Sequence, residues 1–141
     1  MIRTQNAENL LVLWGEAQRG KPFIWGQTDC GSLVIKAAKI LYGKPVFDIS
    51  EYQDKKEAAT VIKEIGSYEE FLGEYGAMQT DFTHMSAGDV LTGRIRNDWP
   101  TAMVALRQRF VLSSEEERGV FLEKLTEADD MKIFKLPYRI E

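Results

Sequence analysis

Hydrophobic spacing changes character near His84, and that change constrains the fold more than any other feature of the chain. Ahead of it, apolar residues recur at intervals of three and four. From about residue 6 to 19, Leu10, Leu11, Leu13 and Trp14 trace one helix face, which Gly20 and Lys21-Pro22 bring to an end. Leu33, Val34, Ala37, Ile40 and Leu41 mark one face of a second helix, with Lys36 and Lys39 opposite and Gly43 closing it. Ser50-Glu51-Tyr52-Gln53 and Ser67-Tyr68-Glu69-Glu70 both have capping-box form and predict helices over about 51–65 and 67–72, stopped by Gly66 and Gly73. After His84 come short β-leaning runs, at 89–92, 102–106, 109–112 and 120–123, separated by turns. A last strand at 131–136 is expected to finish the sheet. Helices first and strands second predict one α+β domain over residues 1–141, with no repeats and no linker.

Composition narrows the function classes. Of 141 residues 44% are hydrophobic and 28% charged, as in a soluble globular protein with a real core. Twenty-two acidic against eighteen basic residues leave a net charge of -4, which offers no general attraction to a phosphate backbone, so no nucleic-acid partner is expected. One cysteine and one histidine make neither an intramolecular disulfide nor a zinc site, and no metal or cofactor is expected. The apolar run Leu10-Leu11-Val12-Leu13-Trp14 is too brief for a signal sequence or a membrane span, which predicts a protein made and kept in the cytosol unless something carries it out.

The sharpest chemical feature is Asp29-Cys30-Gly31-Ser32-Leu33-Val34, because it sets the only thiol in the first turn of the second helix. Unpaired N–H groups and the positive end of the helix dipole favour a thiolate there, which would suit a nucleophile. The plainer alternative is a small buried cysteine that packs the helix start.

Phe23-Ile24-Trp25-Gly26 followed by Asp29-Cys30-Gly31-Ser32-Leu33-Val34 resembles the start of the NlpC/P60 cysteine-peptidase domain, in which an aromatic-x-Trp-Gly segment precedes an Asp-Cys-Ser-Gly-Leu-Val nucleophile helix. Here Gly and Ser are transposed. Ser86-Ala87-Gly88-Asp89-Val90-Leu91 is similar to the Pro-Gly-Asp strand that opens the papain-like sheet of that family. The pattern is closer still to the short NlpC/P60-like proteins encoded among the tail genes of long-tailed bacteriophages. In outline the likeness runs from Trp14 to Leu136, and two short motifs carry it. It implies a papain-like fold, with N-terminal helices packed on a small C-terminal antiparallel sheet.

The family's catalytic imidazole normally comes from the strand after the Gly-Asp strand. That stretch here reads Trp99-Pro100-Thr101-Ala102-Met103-Val104, and neither Thr101 nor Ala102 can act as a base. The sole histidine, His84, precedes the Gly-Asp strand, with Asp81 near enough in sequence to orient it. Phe23 stands where the family's enzymes often carry a tyrosine, and has no hydroxyl to support an oxyanion. Without a base, the helix terminus offers Cys30 only about 0.3 to 1 kcal/mol, less than one pKa unit.

Other features have plain readings beside functional ones. Trp14, Trp25 and Trp99 suit core or interface anchors as well as ligand stacking. Glu115-Glu116-Glu117-Arg118 and Asp129-Asp130 suit solvated turns as well as a divalent ion. Arg94-Ile95-Arg96-Asn97-Asp98-Trp99-Pro100 reads as a loop with the residue types of a protein contact. Gly15, Gly20 and Gly26 do not form a phosphate-binding loop.

The resemblance, with the histidine missing, implies a structural component of a phage distal tail or tail tip. Such a protein is assembled in the host cytoplasm and resides in the virion, where it meets hub and distal-tail proteins and peptidoglycan. The alternative is a cysteine hydrolase, a peptidoglycan endopeptidase or amidase, with Cys30 as nucleophile and His84 as an unconventional base assisted by Asp81. A third class is a small cytosolic binding protein unrelated to phage.

Overall fold

A computed structural model describes residues 1–95, 99–107, 109–127 and 131–140. Among them four α-helices and six strands form an α+β structure: α1 (Ala7–Gln18), α2 (Cys30–Tyr42), α3 (Lys55–Ile65), α4 (Tyr68–Glu74), β1 (Met78–Thr80), β2 (Val90–Ile95), β3 (Trp99–Arg107), β4 (Phe110–Glu115), β5 (Gly119–Lys124) and β6 (Lys132–Lys135). The strands make one sheet in the order β1-β6-β2-β3-β4-β5, and every pairing is antiparallel. The strand expected to finish the sheet therefore lies inside it, between β2 and the unpredicted β1.

Alternation sorts the sheet into two faces. Val90, Ala102, Val104, Leu112 and Phe134 point toward the helices, where they join Leu33, Ala37 and Leu41 of α2 in the main core. Leu91, Met103, Ala105, Val111 and Ile133 point the other way into a smaller cluster, covered by Phe82 and Met85 from the segment ahead of β2. Register agrees, with Val90 opposite both Val104 and Phe134, and Leu91 opposite both Met103 and Ile133.

Local chemistry explains most element boundaries. Gly43, at φ 75°, closes α2 in the left-handed conformation that a helix C-terminus favours. Ser67 accepts from the Glu70 N–H at 3.1 Å and opens α4 as its capping box predicts. The box at Ser50 does not form, and α3 begins at Lys55, four residues later than the expected start at 51: Asp54 accepts from the Glu57 N–H at 2.8 Å, while Glu57 accepts from the Gln53 N–H at 2.9 Å. Two overlapping start signals competed, and the Asp54-x-x-Glu57 pair won. Trp99 and Pro100, expected in a loop, are the first residues of β3. Arg96, Asn97 and Asp98 of that expected loop, and the Asp129-Asp130 pair, lie outside the described residues.

The buried face of α1 differs from the expected stripe. Ala7, Leu11, Gly15 and Gln18 are buried, whereas Leu10 and Leu13 are 44% and 66% exposed. Small residues face inward because α1 lies close on β3: a Cβ at Gly15 would sit 2.2 Å from the Leu106 Cδ1. Leu106 is itself buried and has little room to move. The substitution Gly15→Ala should therefore cost about 2 kcal/mol in overpacking against about 1 kcal/mol gained in helix propensity. The net loss, about 1 kcal/mol by chemical denaturation, should shrink when Leu106→Val is added.

Candidate functional site

The segment ahead of α2 is a compact turn built on Thr28. Its hydroxyl donates to the Pro22 carbonyl at 2.6 Å and accepts from the Ile24 N–H at 2.8 Å, which fixes Phe23, Ile24 and Trp25 relative to the helix start. Asp29 occupies the N-cap position but its side chain caps no helix N–H. Its carboxylate instead accepts from the Gly26 N–H at 2.9 Å, from the Ser32 hydroxyl, and from the Tyr52 hydroxyl at 2.5 Å. Gly26 is required on two counts: its φ is +80°, and a Cβ there would lie 1.9 Å from the Tyr52 carbonyl oxygen. The loop before α3 thus rests directly on the Trp25-Gly26 turn.

Cys30 is the first residue of α2, and its thiol is buried against β3. The Tyr68 hydroxyl and the backbone N–H groups of Gly31 and Ala102 are directed at the sulfur. These donors favour the thiolate, yet burial outweighs them, and with the neighbouring Asp29 charge it pushes the thiol up to about 11. Burial also drives the Tyr52 and Tyr68 hydroxyls above the ordinary tyrosine range, and Asp29 pushes both in the same direction. At neutral pH the sulfur and both phenols are protonated, so none of them accepts a proton from the others.

Glycine at position 31 is what admits the two phenols, since a Cβ there would stand 3.0 Å from the Tyr68 hydroxyl and 3.3 Å from that of Tyr52. Serine at position 32, one step on, reaches the Asp29 carboxylate. The Gly-Ser order is therefore fitted to the two tyrosines. Neither Tyr52 nor Tyr68 was singled out from sequence; the only signal for them was their place inside two apparent capping boxes.

A cavity of about 450 Å³ opens above Cys30, between α3, α4 and the helix-facing side of the sheet. Trp25 and Trp99 stand edge to face at its wall with ring centres 5.7 Å apart, and Phe23 packs edge-on to Trp25 at 4.8 Å. Trp14 lies elsewhere, half-buried against the main core.

The other expected site residues sit apart from this cavity. His84 Nδ1 is 2.8 Å from Asp81 Oδ1, so those two do pair, but both side chains are about two-thirds exposed. They flank Phe82 and Met85, which pack on the sheet face opposite to Cys30, and neither lines the cavity. His84 is thus a surface residue, and the alternative that pairs it with Cys30 has no geometric support, because the segment that carries it packs on the opposite sheet face. From β3 it is the Ala102 backbone N–H that reaches the sulfur. Asp89 of the Gly-Asp strand is likewise structural: it is buried, accepts from Lys135 Nζ at 2.9 Å and from the Ser86 N–H at 2.8 Å, and so ties β6 to the start of β2. Among the described residues no group of three or more His, Cys, Asp or Glu is arranged to hold a metal ion, and no helix is long and apolar enough to cross a membrane.

Two measurements test this geometry. Alkylation of Cys30 by iodoacetamide should rise with pH to an inflection near 11, against about 8.5 for a free thiol; an inflection at or below 8.5 would show an activated sulfur. Since the folded thiol holds its proton to higher pH than the unfolded one, stability from this group should fall as pH rises between those values. Tyr52→Phe removes a donor from the buried Asp29 carboxylate and should cost about 2 kcal/mol in stability.

No curated protein matches the chain. A family described as a domain of unknown function (DUF6950) matches residues 2–132, a stretch that holds the Trp25-Gly26 turn, Cys30, both tyrosines and strands β1 to β5. Since the match takes in most of the chain and all of the Cys30 site, the protein belongs to that family.

Proposed function

We propose that the chain is a non-hydrolytic domain of papain-like, NlpC/P60 type that serves as a structural component of a bacteriophage distal tail or tail tip. One observation carries the non-hydrolytic part: Cys30 is buried, its thiol is pushed up to about 11, and the chain's one histidine, His84, does not line the cavity above it, so no imidazole is at hand to take the proton. The helix-borne cysteine followed by an antiparallel sheet whose longer strands start just after Gly88-Asp89 supports descent from that fold. The resemblance of Trp25-Gly26, Asp29-Cys30 and Gly88-Asp89 to the short tail-encoded proteins supports the phage setting, the virion location, and hub and distal-tail proteins as neighbours.

The hydrolase reading loses its base, since His84 and Asp81 keep company with the opposite sheet face. What remains at Cys30 is a set of hydrogen-bond donors without a proton acceptor, which is suited to binding rather than to turnover.

Purified protein should release no product from peptidoglycan fragments, and Cys30→Ser should leave that null result unchanged. Product release that disappears in Cys30→Ser would overturn the non-hydrolytic reading. Mass spectrometry of purified virions of a phage that encodes the chain should find it among the tail proteins. Its absence from both virions and tail-assembly intermediates would overturn the structural role.

A further inference from the structure

We propose that the crevice above Cys30 is the docking site for an extended segment of a partner protein, in which a bulky apolar side chain fills the cavity and a basic residue beside it lies over Glu115, Glu116 and Glu117. This deepens the reading of the site as a binding surface and rests on it. Three observations converge.

First, protein interiors are close-packed, and a cavity of about 450 Å³ is far larger than the voids they ordinarily leave; its size lies within the range of ligand sites. It is lined by Trp25 and Trp99 together with apolar groups such as Ile62, Ile65 and Phe71.

Second, Ser114 is only 4% exposed, and its Oγ has no hydrogen-bond partner. It lines the cavity and lies two residues beyond Leu112, on the same face of β4. A buried hydroxyl left unpaired is costly and uncommon, so an occupant should supply its partner. A purely apolar ligand would leave it orphaned. A peptide backbone carries a donor and an acceptor at almost every residue and would satisfy it.

Third, charge selects the flanking residue. Among the described residues that line the cavity, Glu115, Glu116 and Glu117 face a single cation, Lys55. Lys55 is already engaged, 3.8 Å from Glu116 and 5.5 Å from the centre of the Trp99 ring. The adjacent Arg118 is turned elsewhere, 3.9 Å from Glu123 and over the Phe121 ring. The rim therefore has negative charge to spare, next to indole rings that also attract cations.

The test titrates the full chain, by calorimetry and by tryptophan fluorescence, with three blocked peptides: acetyl-Ala-Phe-Lys-Ala-amide, the same with Ala for Phe, and the same with Glu for Lys. The Phe-Lys peptide should bind at least about tenfold more tightly than either of the others. Ser114→Val should weaken it by about three- to tenfold while leaving the thermal midpoint no lower than wild type, since an unpaired hydroxyl is lost from the free protein. Ser114→Ala repeats the comparison with a smaller side chain should valine disturb packing. Glu116→Gln with Glu117→Gln should abolish the preference for Lys over Glu.

Equal binding of the three peptides, or unchanged affinity in both Ser114 variants, would overturn the proposal. So would tight binding of dodecylamine with none of the peptides, which would assign the cavity to a lipid-like amine. Cleavage of the peptides would overturn the non-hydrolytic reading and this inference with it. Intact peptides that fail to bind would overturn the docking inference alone.

Discussion

The Asp29 carboxylate is the interaction on which the rest of the site depends. One buried acidic group accepts from the Gly26 N–H, the Ser32 hydroxyl and the Tyr52 hydroxyl, and so joins the aromatic turn, the first turn of α2 and the loop ahead of α3. A charge at 3% exposure is tolerable only when donors surround it, and here they come from three separate stretches of chain. Because Asp29 commits its lone pairs in this way, the helix start is left without a side-chain cap, and the Gly31 N–H turns toward the sulfur instead.

That arrangement shows how a cysteine at a helix start can be ringed with donors and still hold its proton. Helix terminus, backbone donors and a phenol all surround Cys30 with partial positive charge, and each would favour an anion. Desolvation outweighs them together, because a buried sulfur with no cation beside it cannot recover the hydration it gave up. The decisive absentee is a group that takes the proton away, since the one histidine, His84, does not line the cavity.

Much of this was legible from the residues. The two-part layout, the Cys30 helix with its Gly43 end, the Ser67 cap and the five longer strands all follow from local periodicity and turn chemistry. The errors share one physical origin, which is tertiary context. The α1 stripe was misjudged because closeness to Leu106 rewards Gly15 and Ala7 over larger apolar residues. The start of α3 was misplaced because two capping signals overlap within eight residues and only packing chooses between them. Tyr52 and Tyr68 escaped notice for a related reason. A tyrosine gains chemical meaning from what its hydroxyl meets, and both meet the Cys30 turn from loops and helices tens of residues away.

The place of β6 in the sheet has a consequence for how the molecule is made. Residues 132–135 slot between β1 and β2, so the β1 end of the sheet closes only after roughly 130 residues have been synthesised. Until then β2 presents an open edge, while β2 to β5 can already pair as consecutive hairpins and give α1 and α2 their surface. Pairings so distant along the chain form more slowly than the hairpins, so the β6 side of β2 is expected to be the last part of the sheet to be covered.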